Sequence, residues 1–254
     1  MSVAIDMTGK TALVTGGGSG IGRETCLMFA RAGARVVAAD LRLAAAEETV
    51  SLVSQEGGQG LAVEVDVQSE EQAKAGVAAT IAKFGRVDVL VNNAACWTVK
   101  LFKDQQYADL IRDVHVTLIG TMVMTSAVYP QMREQNGGAV VNLISDSGRV
   151  GEPYLVPYGA AKAGVVGFTK GFAREAGRYN IRCNAVSPGT TRTPGASAMI
   201  DQWGGDEKLV KAYPLRRLGK PIDQASMILF LASDLTSWVT GQIISVSGGY
   251  TMAG

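Results

Sequence analysis

Histidine occurs once in this chain and cysteine three times, at Cys26, Cys96 and Cys183, with no spacing typical of metal ligands. A resident metal is therefore not expected, and three scattered thiols argue for free cysteines in a reducing compartment rather than a disulfide framework. An excess of charge of one sign is also lacking. The 24 Lys plus Arg nearly balance the 23 Asp plus Glu, without a block of either, which leaves no footprint for nucleic acid or an anionic membrane surface. No apolar run is long enough to span a bilayer, and Met-Ser-Val-Ala-Ile-Asp at the start lacks the basic and apolar parts of an export signal. A cytoplasmic location is expected. No internal period on the order of 20–50 residues recurs, which excludes a repeat architecture.

What is abundant is apolar sequence, 47% of 254 residues, together with 31 glycines. The glycines gather where the run Thr11-Ala-Leu-Val-Thr meets Gly16-Gly-Gly18-Ser-Gly20-Ile-Gly22 and then a helical pattern from Ile21. Glycines between a strand and a helix let backbone approach a pyrophosphate, and the N–H groups opening the helix face that anion. The spacing is not G-x-G-x-x-G, but eighteen residues after Gly22 the run Arg35-Val-Val-Ala-Ala ends in Asp40. An acid at the tip of the second strand can accept from an adenosine ribose. Asp40 would repel a 2′-phosphate, so NAD is expected over NADP, although Arg42 and Arg23 are near in sequence.

Strand-like and helix-like patterns then alternate: Arg35–Ala39, a helix near Leu43–Gln55, Leu61–Val65, a helix near Glu70–Phe84, Val87–Val91, a long helical region about Asp104–Met132, and Ala139–Ile144. Continuously apolar strands in such alternation imply a doubly wound parallel sheet with helices on both faces, one α/β domain over residues 1–254. Thr15, Asp40, Asp66 and Asn92-Asn93 end successive strands, so they could line one crevice.

The apolar run from Ala139 ends at Ser145, and Tyr158-Gly-Ala-Ala-Lys162 opens a helical pattern thirteen residues later. Tyr158 and Lys162, at i and i+4, share a face. A phenol is a poor proton carrier near neutral pH, but a neighbouring ammonium favours phenolate, and a serine hydroxyl can support developing charge on a substrate oxygen.

Taken together, Thr15-Gly-x-x-x-Gly20-Ile-Gly22, Asp66, Asn92-Asn93-Ala94, Ser145, Tyr158-x-x-x-Lys162 and Ser187-Pro188-Gly189 leading to Thr193 resemble the classical short-chain dehydrogenase/reductase family, from about Gly9 to Gly249. The resemblance implies a Rossmann-like, three-layer αβα fold with a seven-stranded parallel sheet, the last two strands at Ile181–Val186 and Gln242–Val246 around a helix at Ile222–Ala232. It implies that Ser145 positions the carbonyl, Tyr158 is the acid/base, and Lys162 tunes Tyr158 and binds the nicotinamide ribose. Gly16, Gly18, Ser19 and Ile21 would line the pyrophosphate turn. Asp66 and Val67 would flank the adenine, Asn92 would lie near its ribose, and Thr191 and Thr193 would bracket the nicotinamide amide. A homotetramer is expected on the same ground.

Three positions depart from the family pattern: Ala95 stands where glycine is usual and Ser247 where aspartate is frequent, neither touching the chemistry, and Thr117 stands where an asparagine usually holds a relay water, so Thr117 is carried as a fourth catalytic candidate. His115, two residues away, points elsewhere on a helix and reads as exposed or satisfied, and Cys96 as a packed thiol. Substrate choice is expected from Cys96–Val99 with Trp97, from Arg149–Pro157 with Tyr154 and Leu155, and from a segment at about 194–218 with Met199, Trp203 and Tyr213. The aromatic and aliphatic residues favour an apolar or cyclic secondary alcohol or ketone, steroid-like or an alicyclic hydroxyacyl-CoA. Arg149, Arg216 and Arg217 leave room for an anionic tail. An NADPH-dependent ketoreductase such as a 3-oxoacyl reductase is the alternative. A noncatalytic dinucleotide-binding protein, or a lyase or epimerase, would not need the full Ser–Tyr–Lys set.

Overall fold

The computed structural model describes residues 5–252. The first half runs β1 (Thr11–Thr15), α1 (Gly20–Arg31), β2 (Arg35–Asp40), α2 (Leu43–Gln55), β3 (Gln59–Glu64), α3 (Glu70–Phe84), β4 (Val89–Asn92), α4 (Tyr107–Val114) and α5 (Gly120–Glu134). The second half runs β5 (Gly138–Leu143), α6 (Ser147–Val150), α7 (Val156–Ala176), β6 (Ile181–Pro188), α8 (Ser197–Gln202), α9 (Gly205–Leu209), α10 (Pro221–Ala232) and β7 (Ile243–Val246). The strands form one sheet in the order β3-β2-β1-β4-β5-β6-β7, and every neighbouring pair is parallel.

Two apolar layers explain why the strands are continuously hydrophobic. Ala12, Val14, Val36 and Ala38 meet Cys26 and Phe29 of α1 and Ile228 and Leu229 of α10 on one face. Their sequence neighbours Leu13, Val37 and Ala39, with Leu90 of β4, meet Val77 and Phe84 of α3 and Met124, Val128 and Met132 of α5 on the other. Each large side chain so buried contributes roughly 1.5–3 kcal/mol before the entropy of ordering it. No described helix is long and apolar enough to cross a membrane.

α2 and α3 occupy the expected residues. α3 is delimited locally: the Ser69 side chain accepts from Gln72 N–H, Glu70 and Glu71 oppose the helix dipole, and Gly85 takes φ 81° at the end. β3 starts at Gln59, ahead of the expected Leu61, because it is an edge strand whose outer side tolerates polar residues. The single helix expected over 104–132 is instead two helices joined by a π turn at His115–Ile119. Its beginning is displaced to Tyr107 by a capping box in which Asp109 accepts from the Gln106 N–H.

The strand order reverses between β1 and β4, which are neighbours in the sheet although two βα units separate them in sequence. The loops leaving these strands diverge to opposite faces, which opens a crevice beyond their carboxyl ends.

Candidate active site

That crevice has a volume of about 580 Å³, within the range of sites that hold small ligands. At one end lies the β1–α1 turn, where Gly16 adopts φ 63° and Gly20 φ 54°. A Cβ on Gly22 would fall 2.1 Å from the Gly16 carbonyl oxygen, so only glycine lets α1 start this close to the turn. Gly16, Ser19, Gly20 and Ile21 wall the crevice. Gly18 does not, contrary to the sequence-based expectation. Its N–H is turned to β2, where it donates to Asp40 Oδ2 at 2.9 Å, and its carbonyl accepts from Arg23.

Asp40 lines the crevice at 9% exposure, and its second oxygen accepts from the Arg42 N–H at 3.0 Å. Asp66 and Val67 form the next stretch of wall. Asp66 Oδ1 accepts from the Gln68 N–H and Gln72 Oε1 from the Asp66 N–H, which fixes the chain as it leaves β3.

The Asn92 side chain does not reach this crevice. The alternation of β4 turns it toward the α5 layer, where its Nδ2 donates to Asn142 Oδ1 at 2.9 Å and Thr125 Oγ1 at 3.0 Å. Asn93 takes the place at the wall, tied by its amide to the carbonyls of Thr15 and Gly16. The expectation for Asn92 is thus corrected by one residue: neighbouring side chains leave a strand on opposite faces, and the pairing of Asn92 with Asn142 turns Asn92 inward.

Thr191 and Thr193 line the far side of the crevice. The Thr191 hydroxyl donates to Gly189 O and accepts from Gln224 Nε2, and Thr193 Oγ1 accepts from the Ala196 N–H. Ser145, Tyr158 and Lys162 converge on the same wall. Ser145 Oγ accepts from both the Ser147 N–H at 3.2 Å and the Ser147 hydroxyl at 2.9 Å. Its own proton is left for a third partner in the crevice. Lys162, 2% exposed, donates from Nζ to the Leu143 carbonyl and stands 5.5 Å from the Tyr158 ring centroid. Trp97 meets the same ring edge to face at 5.8 Å.

Electrostatics correct one expectation. Burial pushes the Tyr158 phenol above its ordinary range, the hydrogen bond with Ser145 opposes this, and the charges of Glu152 and Asp113 add to it. Burial also brings Lys162 down to about 7. In the chain by itself desolvation therefore outweighs the help expected from the lysine, which is half discharged near neutral pH.

Thr117 is fully buried in the π turn, and its hydroxyl donates to Cys96 O at 3.1 Å and accepts from Cys96 N–H at 3.2 Å. It braces the β4 loop and makes no hydrogen bond with Lys162. His115 is exposed. The Cys96 thiol is pushed up by burial, which disfavours the thiolate a nucleophile requires.

Of the expected substrate residues, Trp97, Leu155, Met199 and Trp203 line the crevice. Tyr213 instead packs against Tyr250 at 5.2 Å and accepts from the Thr190 N–H through its hydroxyl, beside a separate cavity that Arg217 also lines. Tyr154, Arg149 and Arg216 are not in the crevice wall. Asp146, and Glu152 of the expected segment Arg149–Pro157, are in it, although neither was singled out from the sequence. Their one signal is position, in the loop that leaves Ser145.

A family profile described as Enoyl-(Acyl carrier protein) reductase matches residues 16–251. The chain is 41% identical over 248 residues to 3-oxoacyl-[acyl-carrier-protein] reductase FabG of Thermotoga maritima, covering 96% of this chain and 98% of that protein. It is 36% identical to the 7alpha-hydroxysteroid dehydrogenase of Escherichia coli K12, with 96% and 94% covered. A crystal structure of a short-chain type dehydrogenase/reductase from Mycobacterium marinum superimposes with a TM-score of 0.93 at 31% identity, over 98% of both chains. With the sheet order, the glycine turn and the Ser145–Tyr158–Lys162 wall in agreement, this chain belongs to the classical short-chain dehydrogenase/reductase family of oxidoreductases.

Proposed function

We propose that the whole chain is one dinucleotide-binding domain that transfers hydride between NAD and a secondary alcohol or ketone of apolar or cyclic skeleton. The observation that carries this reading is the meeting of Ser145, Tyr158 and Lys162 in one crevice whose opposite end is the glycine turn with Asp40. The cradle fits a dinucleotide: N–H groups open α1, Gly22 has no room for a side chain, and Asp40 offers a carboxylate at the tip of β2. Asp40 favours a ribose hydroxyl over a 2′-phosphate, hence NAD.

A nicotinamide dinucleotide held between the glycine turn and the Ser145–Tyr158–Lys162 wall would supply the hydride acceptor for oxidation and the hydride donor for reduction. Ser145 donates its proton to the substrate oxygen in place of the phenol and fixes that oxygen beside the Tyr158 hydroxyl. Tyr158 takes the alcohol proton in oxidation and gives it back in reduction. Lys162, held by the Leu143 carbonyl, is placed to bind the nicotinamide ribose. Its charge grows as polar groups replace the apolar surroundings of Nζ, and that charge would then bring the phenol down. Thr117 is placed to support the site through the Cys96 backbone. Trp97, Leu155, Met199 and Trp203 supply an apolar surface for the carbon skeleton.

The similarity to the Thermotoga reductase favours a second reading, an NADPH-dependent reductase of 3-oxoacyl thioesters. Asp40 argues against the phosphorylated cofactor. We also infer a homotetramer working in the cytoplasm, supported by the family membership and by the three free thiols.

The test is Tyr158→Phe, assayed by absorbance of reduced nicotinamide against a screen of cyclic, steroidal and acyl-CoA alcohols and ketones. NAD binding is expected to persist while turnover falls at least about a thousandfold, the upper range for loss of a positioned acid/base together with its hydrogen bond. Full activity would remove Tyr158 from the mechanism.

A further inference from the structure

Past the phenol, the crevice wall carries two carboxyl groups that the proposed reaction does not use. Asp146 follows Ser145 directly and is 2% exposed; its Oδ1 accepts from the Ser187 hydroxyl at 2.6 Å, and its Oδ2 has no hydrogen-bond partner among the described residues. Glu152 comes next in the wall, half-buried, after Gly151 turns the chain at φ 73°. Its carboxyl interacts with the Tyr250 hydroxyl and is close enough to Tyr158 to act on the phenol through its charge. Among the described residues no Lys or Arg forms an ion pair with either acid. Arg149, the nearest basic side chain in sequence, is turned to the Ser245 hydroxyl.

A partly desolvated carboxylate with no cation is costly, and that cost is relieved by a ligand that brings its own donor. The rest of this end is apolar, with Trp97, Leu155 and Met199. We propose that Glu152 is a specificity residue that accepts a hydrogen bond from a donor on the substrate, a hydroxyl or an ammonium near the reacting carbinol, while Asp146 beside it excludes substrates that are anionic there. The substrate is then a compact apolar skeleton with a second donor, a diol or an amino alcohol, rather than a hydroxy acid. This rests on the oxidoreductase reading above and names its substrate class. Burial raises both carboxyls; Arg149 offsets part of this at Asp146, while the charge of Asp146 raises Glu152 further and no basic group offsets it there.

Four alcohols on one ring make the test: cyclohexanol, cyclohexane-1,2-diol, 2-aminocyclohexanol and 2-hydroxycyclohexanecarboxylate, each oxidised with NAD. The wild-type protein is expected to prefer the diol or the amino alcohol over cyclohexanol by about tenfold in kcat/KM, the size of one hydrogen bond to a charged group, and to rank the carboxylate last. Glu152→Leu is expected to erase that preference through KM. Glu152→Gln is expected to restore it for the diol and not for the amino alcohol, which separates the two donors. A preference unmoved in Glu152→Leu, or an equal loss on all four substrates, overturns the proposal. A wild-type protein that oxidises alcohols without preference sinks it alone. A wild-type protein that oxidises no alcohol, here or in the wider screen, sinks the oxidoreductase reading and takes this proposal with it.

Discussion

A lysine ammonium that has exchanged water for a single carbonyl is a costly residue to keep. Lys162 falls from an ordinary value of 10.5 to about 7 in the folded chain. Between those values the unfolded chain holds a proton that the folded chain does not, so stability rises with pH across that window, and the penalty is full below 7. From pH 7 to about pH 8 the wild-type protein is expected to gain about 1 kcal/mol relative to Lys162→Met, which carries the same cysteines and shares their ionisation in the unfolded chain. Lys162→Met lacks that gain. Urea unfolding of both proteins across the window checks it, and parallel slopes would show that Nζ is not desolvated. At the opposite end of the crevice, Asp40→Ala is expected to narrow the preference for NAD over NADP at least tenfold, the effect of one charge-assisted hydrogen bond and one removed repulsion. Calorimetric titration with each dinucleotide measures it, and an unchanged ratio would take Asp40 out of cofactor choice.

Among the elements, the start of α1 is the most tightly specified. A methyl group on Gly22 meets the Gly16 carbonyl at 2.1 Å and Asn93 Nδ2 at 2.6 Å, backbone and amide that have nowhere to move. Gly22→Ala is therefore expected to weaken NAD binding by at least about a hundredfold and to destabilise the fold by about 1–3 kcal/mol, as overpacking does. Thermal melts and dinucleotide titration read the two effects, and wild-type affinity would show that the turn is looser than this geometry. The boundaries of α2 and α3 were legible because amphipathic period and caps act within a few residues of the helix they end. The π turn before α5 was not, since Val114-His-Val-Thr-Leu-Ile reads as uninterrupted helix. What bends the register is distant in sequence, the Cys96 backbone groups that Thr117 satisfies. Likewise, nothing local to Tyr213 distinguishes a pocket aromatic from one stacked on Tyr250.

In the molecule as a whole, parallel order and crevice position were readable from the alternation of strands and helices and from polar residues at strand ends. Which of Asn92 and Asn93 faces the crevice depended on a register that only sheet pairing sets. The acids at 146 and 152 were not singled out because single carboxylates on a loop carry no pattern until the fold sets them in the crevice wall. Assembly is a prediction at this scale. Light scattering on the eluted protein is expected to give about four times 26.6 kDa, and a monomer mass would remove the inferred tetramer. The bond from the Gly18 N–H to Asp40 draws β1 and β2 into one device: the group proposed to discriminate between the two dinucleotides is also a clasp for the loop proposed to hold their phosphates. Retargeting the enzyme to a phosphorylated cofactor is thus a two-part engineering problem, because any residue that welcomes the extra phosphate must also give Gly18 a new acceptor.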